Sequence, residues 1–116
     1  MRVGTTKRVE NCLRKVKKGD LVHVHYKGML RDTKEEFDNS YEKGSPIEFI
    51  VGQGHVILGL EEGVKGMCFG EKRRIHIPTW MAYGPEGYGD TIPPDADLIF
   101  DVEMMAIQDP VEQEEL

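Results

Sequence analysis

Val56-Ile57-Leu58-Gly59-Leu60-Glu61-Glu62-Gly63-Val64-Lys65-Gly66-Met67 is the stretch that decides how this chain folds. Val56, Ile57, Leu60 and Val64 fall at i, i+1, i+4 and i+8, a stripe that one face of a helix can bury. Glu61 and Lys65 stand four apart with the acid first, the spacing of a mildly favourable exposed pair. Gly66 can supply the left-handed residue that ends a helix. Gly59 and Gly63 each cost the helix roughly 1 kcal/mol against alanine. Being four apart, they also bare one strip of backbone against which something large can pack. So short a helix is marginal alone in water. It needs a sheet to lie on.

The flanking sequence supplies the sheet. Leu21 to Tyr26 alternates, with Val22, Val24 and Tyr26 on one face and Leu21, His23 and His25 on the other, the pattern of a half-buried strand. Ile47 to Val51 reads as a second strand. Glu71 to Pro78 alternates again, with Ile75 and Ile77 inward and Lys72, Arg74 and His76 outward. Leu98, Phe100, Val102 and Met104 mark a last strand. Val9 to Val16 is a poorer candidate for a first edge strand. Residues 1–8 are polar and read as a flexible N-terminus. Residues 39–46 are too rich in breakers for a helix, and 109–116 form an acidic tail that reads as disordered. Residues 79–96 make a long glycine- and proline-rich loop, and such loops usually carry function. The expectation is one α+β domain, a twisted antiparallel sheet of about five strands wrapped around one short helix.

At 116 residues the chain has room for a single core. A net charge of −6 argues against nucleic acid or an anionic membrane as partner. There is no apolar run of membrane-spanning length, and the first residues lack the apolar segment of a signal peptide. That leaves a cytoplasmic chain, or one whose Met replaces a removed leader. Cys12 and Cys68 fit no zinc spacing, and reduced thiols or a disulfide remain open. His23 and His25 share a face that can chelate a metal, but no acid or cysteine joins them; solvent-facing strand positions are the better reading. No nucleophile stands near a base, and no phosphate loop or dinucleotide fingerprint is present. Gly52-Gln53-Gly54 lacks the third glycine. What stands out is a supply of rings beside turns: Tyr26, Phe37, Phe49, Trp80, Tyr83, Tyr88 and Phe100. Phe49 and Trp80, taken alone, read as core. Asp38 sets a carboxylate next to Phe37.

The runs Val24-His25-Tyr26-Lys27-Gly28-Met29-Leu30, Phe37-Asp38-Asn39-Ser40, Val56 to Gly63, Ala82-Tyr83-Gly84, Ile92-Pro93-Pro94 and Leu98 to Glu103 resemble the FKBP-type peptidyl-prolyl cis-trans isomerases, the immunophilins that bind tacrolimus and rapamycin. The likeness covers residues 9–108 in order. It implies an isomerase pocket between sheet and helix, needing no cofactor and no metal. Catalytic roles would fall to Asp38, Tyr83, Phe37, Phe100 and Tyr26. Ile47, Phe49, Val56, Ile57, Leu60, Tyr88 and Ile92 would complete the ligand surface. The backbone of Val56 and Ile57 would hydrogen-bond a ligand, and Tyr83 would donate to a substrate carbonyl. Implied partners are proline-containing polypeptides and macrolides, with the chain a monomer. Departures from the family pattern are Leu60, where a tryptophan is usual at the pocket floor, Ile47 for a frequent phenylalanine, Tyr88 for a histidine and Thr91 for an isoleucine. Losing the indole removes a large aromatic platform, so a roomier floor and weaker macrolide binding are expected. The alternative is a weakly active binding module using the same pocket.

A narrower resemblance links Lys7 to Cys12 and Gly66 to Arg73 with the mature secretory-pathway FKBPs. In those the two cysteines are bonded, which implies a Cys12–Cys68 disulfide here and a compartment such as the endoplasmic reticulum lumen. Closing that loop would stabilise the fold by roughly 4 kcal/mol on the loop-entropy model. The final Glu114-Glu115-Leu116 is only loosely like a retrieval signal.

Overall fold

The structure is a computed structural model that describes residues 1–109. Its strands are β1 (Arg2–Lys7), β2 (Leu21–Leu30), β3 (Glu36–Asn39), β4 (Ile47–Ile50), β5 (Lys72–Ile77) and β6 (Leu98–Gln108). Two helices interrupt them, α1 (Ser40–Lys43) and α2 (Leu58–Val64). The strands form one antiparallel sheet in the order β1-β5-β6-β2-β3, and β4 pairs with the other end of β2. β2 and β6 are its spine, matched from Leu21 opposite Gln108 to Leu30 opposite Leu98. Alternation puts Val22, Val24 and Tyr26 of β2, Ile75 and Ile77 of β5, and Leu98, Phe100, Val102 and Met104 of β6 into one core.

α2 lies across that inner face, and its two glycines set how closely. A Cβ on Gly59 would collide with the Ile77 side chain, and one on Gly63 would come within 2.5 Å of Ile75 Cδ1. The bare strip is therefore where β5 packs. α2 is shorter than its sequence pattern, because Val56 and Ile57 precede the first turn and Lys65 is already extended. Gly66 follows with φ +83, as a helix end requires.

Four local expectations change. The N-terminal residues are a strand: β1 pairs with β5 from Arg2 opposite His76 to Lys7 opposite Lys72. All six of its residues are exposed, so backbone pairing holds it and no hydrophobic pattern betrays it. This makes the sheet six-stranded. Val9 to Val16 forms no strand; a single bridge, Lys15 with Cys68, and the Val16–Met67 and Gly66–Val16 backbone bonds pin it across the end of α2. Cys12 and Cys68 are joined in a disulfide that closes this crossing. Residues 40–43 are helical despite their breakers. Asn39 caps the Tyr41 and Glu42 N–H groups, and Gly44 closes the turn in the left-handed region. Glu61 makes no pair with Lys65. It is buried and accepts the Gly54 N–H at 2.8 Å, while Lys65 meets Glu62 at 2.5 Å. Of the acidic tail, 110–116 lie outside the described residues.

Candidate active site

The site is built where three elements meet at the inner face. β2 ends its inward series at Tyr26. β3 follows a charged turn and pairs antiparallel with β2, Asp38 opposite Gly28. β6 brings Phe100 opposite the same Gly28. A Cβ there would lie 2.8 Å from Phe37 Cζ and 2.9 Å from Phe100 Cε2. Gly28 thus lets two rings close over the backbone. Phe37 meets Phe100 edge-on, with centroids 5.7 Å apart and planes at 80°. Tyr26 and Phe100 tilt against each other at 5.9 Å. Both are favourable aromatic geometries.

Tyr26, Phe49, Leu60, Ile92 and Phe100 are buried in the core cluster. Phe37, Ile47, Val56, Ile57 and Tyr83 are partly buried and pack against it. Tyr88 is 63% exposed but joins through its ring, 5.2 Å from that of Tyr83. It is fixed by backbone bonds with Ile92 inside the glycine-rich loop. The structure therefore brings these eleven residues of the expected set together with Asp38. Trp80 does not join them, nor the core. It is 72% exposed, because a 3₁₀ turn over Thr79–Met81 points Met81 inward in its place.

The polar part of the site is one carboxylate and its partners. The Tyr26 hydroxyl donates to Asp38 Oδ2 at 2.5 Å. Lys43 Nζ reaches Oδ1 at 2.7 Å, and the Asn39 N–H donates to it at 2.9 Å. Burial opposes the Asp38 charge, but Lys43, Tyr26 and the Asn39 amide outweigh it and hold the pKa below the usual carboxylate range. Burial, then the Asp38 charge, pushes the Tyr26 phenol far up. Burial, Tyr88 and Asp38 raise that of Tyr83. At neutral pH the site holds an ionised carboxylate and two phenols that keep their protons.

Two partners of this arrangement are not legible in the sequence. Lys43 arrives from α1, whose existence the breakers hid. Ser40, also on α1 and buried, fills a gap in the ladder where the partner of β2 changes from β3 to β4. Its Oγ accepts the Tyr26 N–H at 2.7 Å and lies 2.9 Å from His25 Nδ1. His23 faces Glu48 across the sheet at 3.1 Å, so each histidine has a partner on a neighbouring element.

The family model for FKBP-type peptidyl-prolyl cis-trans isomerase matches residues 12–105. The chain belongs to this family. It is 51% identical over 114 residues to "FK506-binding protein 2" of Kluyveromyces lactis, covering 98% of this chain and 81% of that one. It is 50% identical over 110 residues to "Peptidyl-prolyl cis-trans isomerase FPR2" of Saccharomyces cerevisiae, covering 93% and 82%. Among solved structures it is similar to FkpA from Escherichia coli, with TM-score 0.80 and 37% identity over 93% of this chain and 48% of that one. The chain is thus a peptidyl-prolyl isomerase. In this isomerase the aromatic cluster, the helix start and the Tyr26–Asp38 pair lie side by side on the inner face. Among the described residues the Val56 and Ile57 N–H groups find no backbone acceptor.

Proposed function

We propose that the aromatic cluster rotates X-Pro bonds of proline-containing polypeptides, and that tacrolimus and rapamycin compete for the same surface. The observation that carries this reading is the Tyr26–Asp38–Lys43 arrangement beside a water-poor set of rings. No nucleophile is activated there, and rotation needs none. The barrier to turning an amide is roughly 18–20 kcal/mol and arises from its resonance. A site lowers it by binding the twisted amide better than the planar one. The planar amide has the larger dipole and loses more when water is excluded. Tyr26, Phe37, Phe49, Leu60 and Phe100 exclude that water and grip the proline ring. Tyr83 donates to a substrate carbonyl, as do the free amides at the start of α2. Asp38 acts on the rotating carbonyl through its fixed charge, without taking a proton.

Leu60 in place of a broad indole leaves the floor roomier, and macrolides bind more weakly for it. The protein acts as a monomer. The Cys12–Cys68 bond suits an oxidising compartment such as the endoplasmic reticulum lumen.

The test is a protease-coupled isomerase assay on a proline tetrapeptide. Asp38→Val and Tyr83→Phe each lower kcat/KM about tenfold or more, with folding intact by circular dichroism. Because Asp38 is already ionised and both phenols stay protonated, wild-type turnover is flat across neutral pH and falls only under acid conditions. Unchanged turnover in Asp38→Val removes the electrostatic role. A bell-shaped profile centred near neutrality replaces the mechanism with proton transfer.

A further inference from the structure

The outer face of the sheet carries a charge pattern that isomerisation does not use. The chain has net charge −6, yet cations gather along β5 and the strands beside it. Lys72 and Arg74 are exposed on β5, with half-buried His76 on the same side. Arg2 of β1 lies opposite His76. Two grooves run over this face. One, of about 680 Å³, is lined by Lys27, Tyr41, Lys72 and Arg74 among others. The other, of about 570 Å³, is lined by Arg2, Arg74 and His76. Thr6 and Arg74 border both, so they form one trough.

Acids on this face are already engaged. Asp101 takes both arms of Arg74, at 2.7 and 2.8 Å. Glu103 accepts the Tyr41 hydroxyl at 2.6 Å. Arg2, Lys27 and Lys72 make no ion pair among the described residues. His76 senses the result: burial first, then Arg2, Arg74, Lys34 and Arg31, depress its pKa.

β1 borders the trough as the free edge of the sheet. Its outer side offers unpaired backbone groups to another extended chain. Charge chooses the occupant. A second copy of β1 would set Arg2 and Lys7 against like charges, which is unfavourable across a strand pair. An anionic membrane would set its charge against a broad surface of a chain with net charge −6, whereas a single extended segment meets only the trough. A local run of carboxylates is matched by the trough.

We propose that the β1–β5 trough docks an extended acidic segment of a partner polypeptide, its carboxylates meeting Arg2, Lys27 and Lys72, the lining cations that Asp101 leaves uncompensated. The probe is a Glu-rich decapeptide titrated into the full chain by NMR, with its Gln counterpart as control. The expected shifts fall on β1 and β5 amides and fade with added salt. The His76 pKa rises when the peptide binds, since carboxylates offset Arg2, Arg74, Lys34 and Arg31 while Asp101 stays committed. The double substitution Arg2→Glu with Lys72→Glu weakens binding by on the order of tenfold or more. It leaves turnover of a short proline peptide unchanged. Shifts centred on Tyr26 and Phe100, equal binding of the Gln peptide, or binding of phosphatidylserine vesicles without the peptide would each overturn the proposal.

Discussion

The two faces of β2 are one residue apart and do opposite work. Tyr26 turns inward, is buried and holds Asp38. His25 turns outward and stacks on Tyr41 with ring centroids 4.3 Å apart, beside the cations of the trough. Strand alternation alone separates the two chemistries. On the inner face most of the rings are buried, so stability comes from burial, and Asp38 is held ionised at their edge by Lys43, Tyr26 and the Asn39 amide. On the outer face Ile99 is buried, but the charged groups such as Arg74 and Asp101 stay partly exposed and their interactions are screened. Substitutions should be costly inside and cheap outside, even on the same strand.

β6 offers the sharpest test. Phe100→Ala removes a ring that touches both Tyr26 and Phe37 and should cost about 3–5 kcal/mol of stability, with loss of turnover. Met105→Ala, on the outer side of the same strand, should stay within about 0.5 kcal/mol. Urea unfolding of both reads the ratio. Equal losses would mean that the inner ring cluster packs no better than the surface.

A smaller effect tests how α2 is seated. Alanine at position 59 should gain roughly 1 kcal/mol of helix propensity. Its Cβ would nevertheless strike Ile77, and overpacking of a core typically costs about 1–3 kcal/mol. Net destabilisation of Gly59→Ala is expected; Ile77→Ala is itself costly because Ile77 is buried, but in that background the added cost of Gly59→Ala should shrink, a coupling read by a double-mutant cycle. Stabilisation by Gly59→Ala alone would show that the helix does not need its bare strip.

The same division explains what the sequence revealed. Strands with one buried face announced themselves by alternation, as at Val22-His23-Val24-His25-Tyr26. β1 did not, because it buries no side chain and its pairing is purely backbone. α1 was hidden because its stability lies in Asn39 and Gly44 at its ends, residues that read as breakers when their caps are unseen. Trp80 reads as core but is exposed, because hydrophobicity cannot tell which of two neighbours a tight turn sends inward, and Met81 takes that place. The aromatic residues that the structure brings together are the ones the family resemblance names. Lys43, Ser40 and the buried role of Glu61 were not legible, since each depends on a contact made across a turn.

The smallest prediction concerns Arg74 and Asp101, an outer pair with good bidentate geometry. Arg74 holds the Asp101 pKa down, with burial opposing it only partly, and Asp101 raises that of Arg74. A carboxyl depressed in the fold adds stability above its unfolded pKa of about 3.9, and that stability is lost as pH falls through the lower folded value. Both side chains are partly exposed, however, and such pairs are usually worth about 1 kcal/mol or less. A double-mutant cycle with Arg74→Ala and Asp101→Ala should return a coupling in that range near pH 7, shrinking with salt and vanishing in strong acid. A coupling several times larger, indifferent to salt, would show that the trough is as dry as the ring cluster. The contrast between the faces would then rest on shape alone.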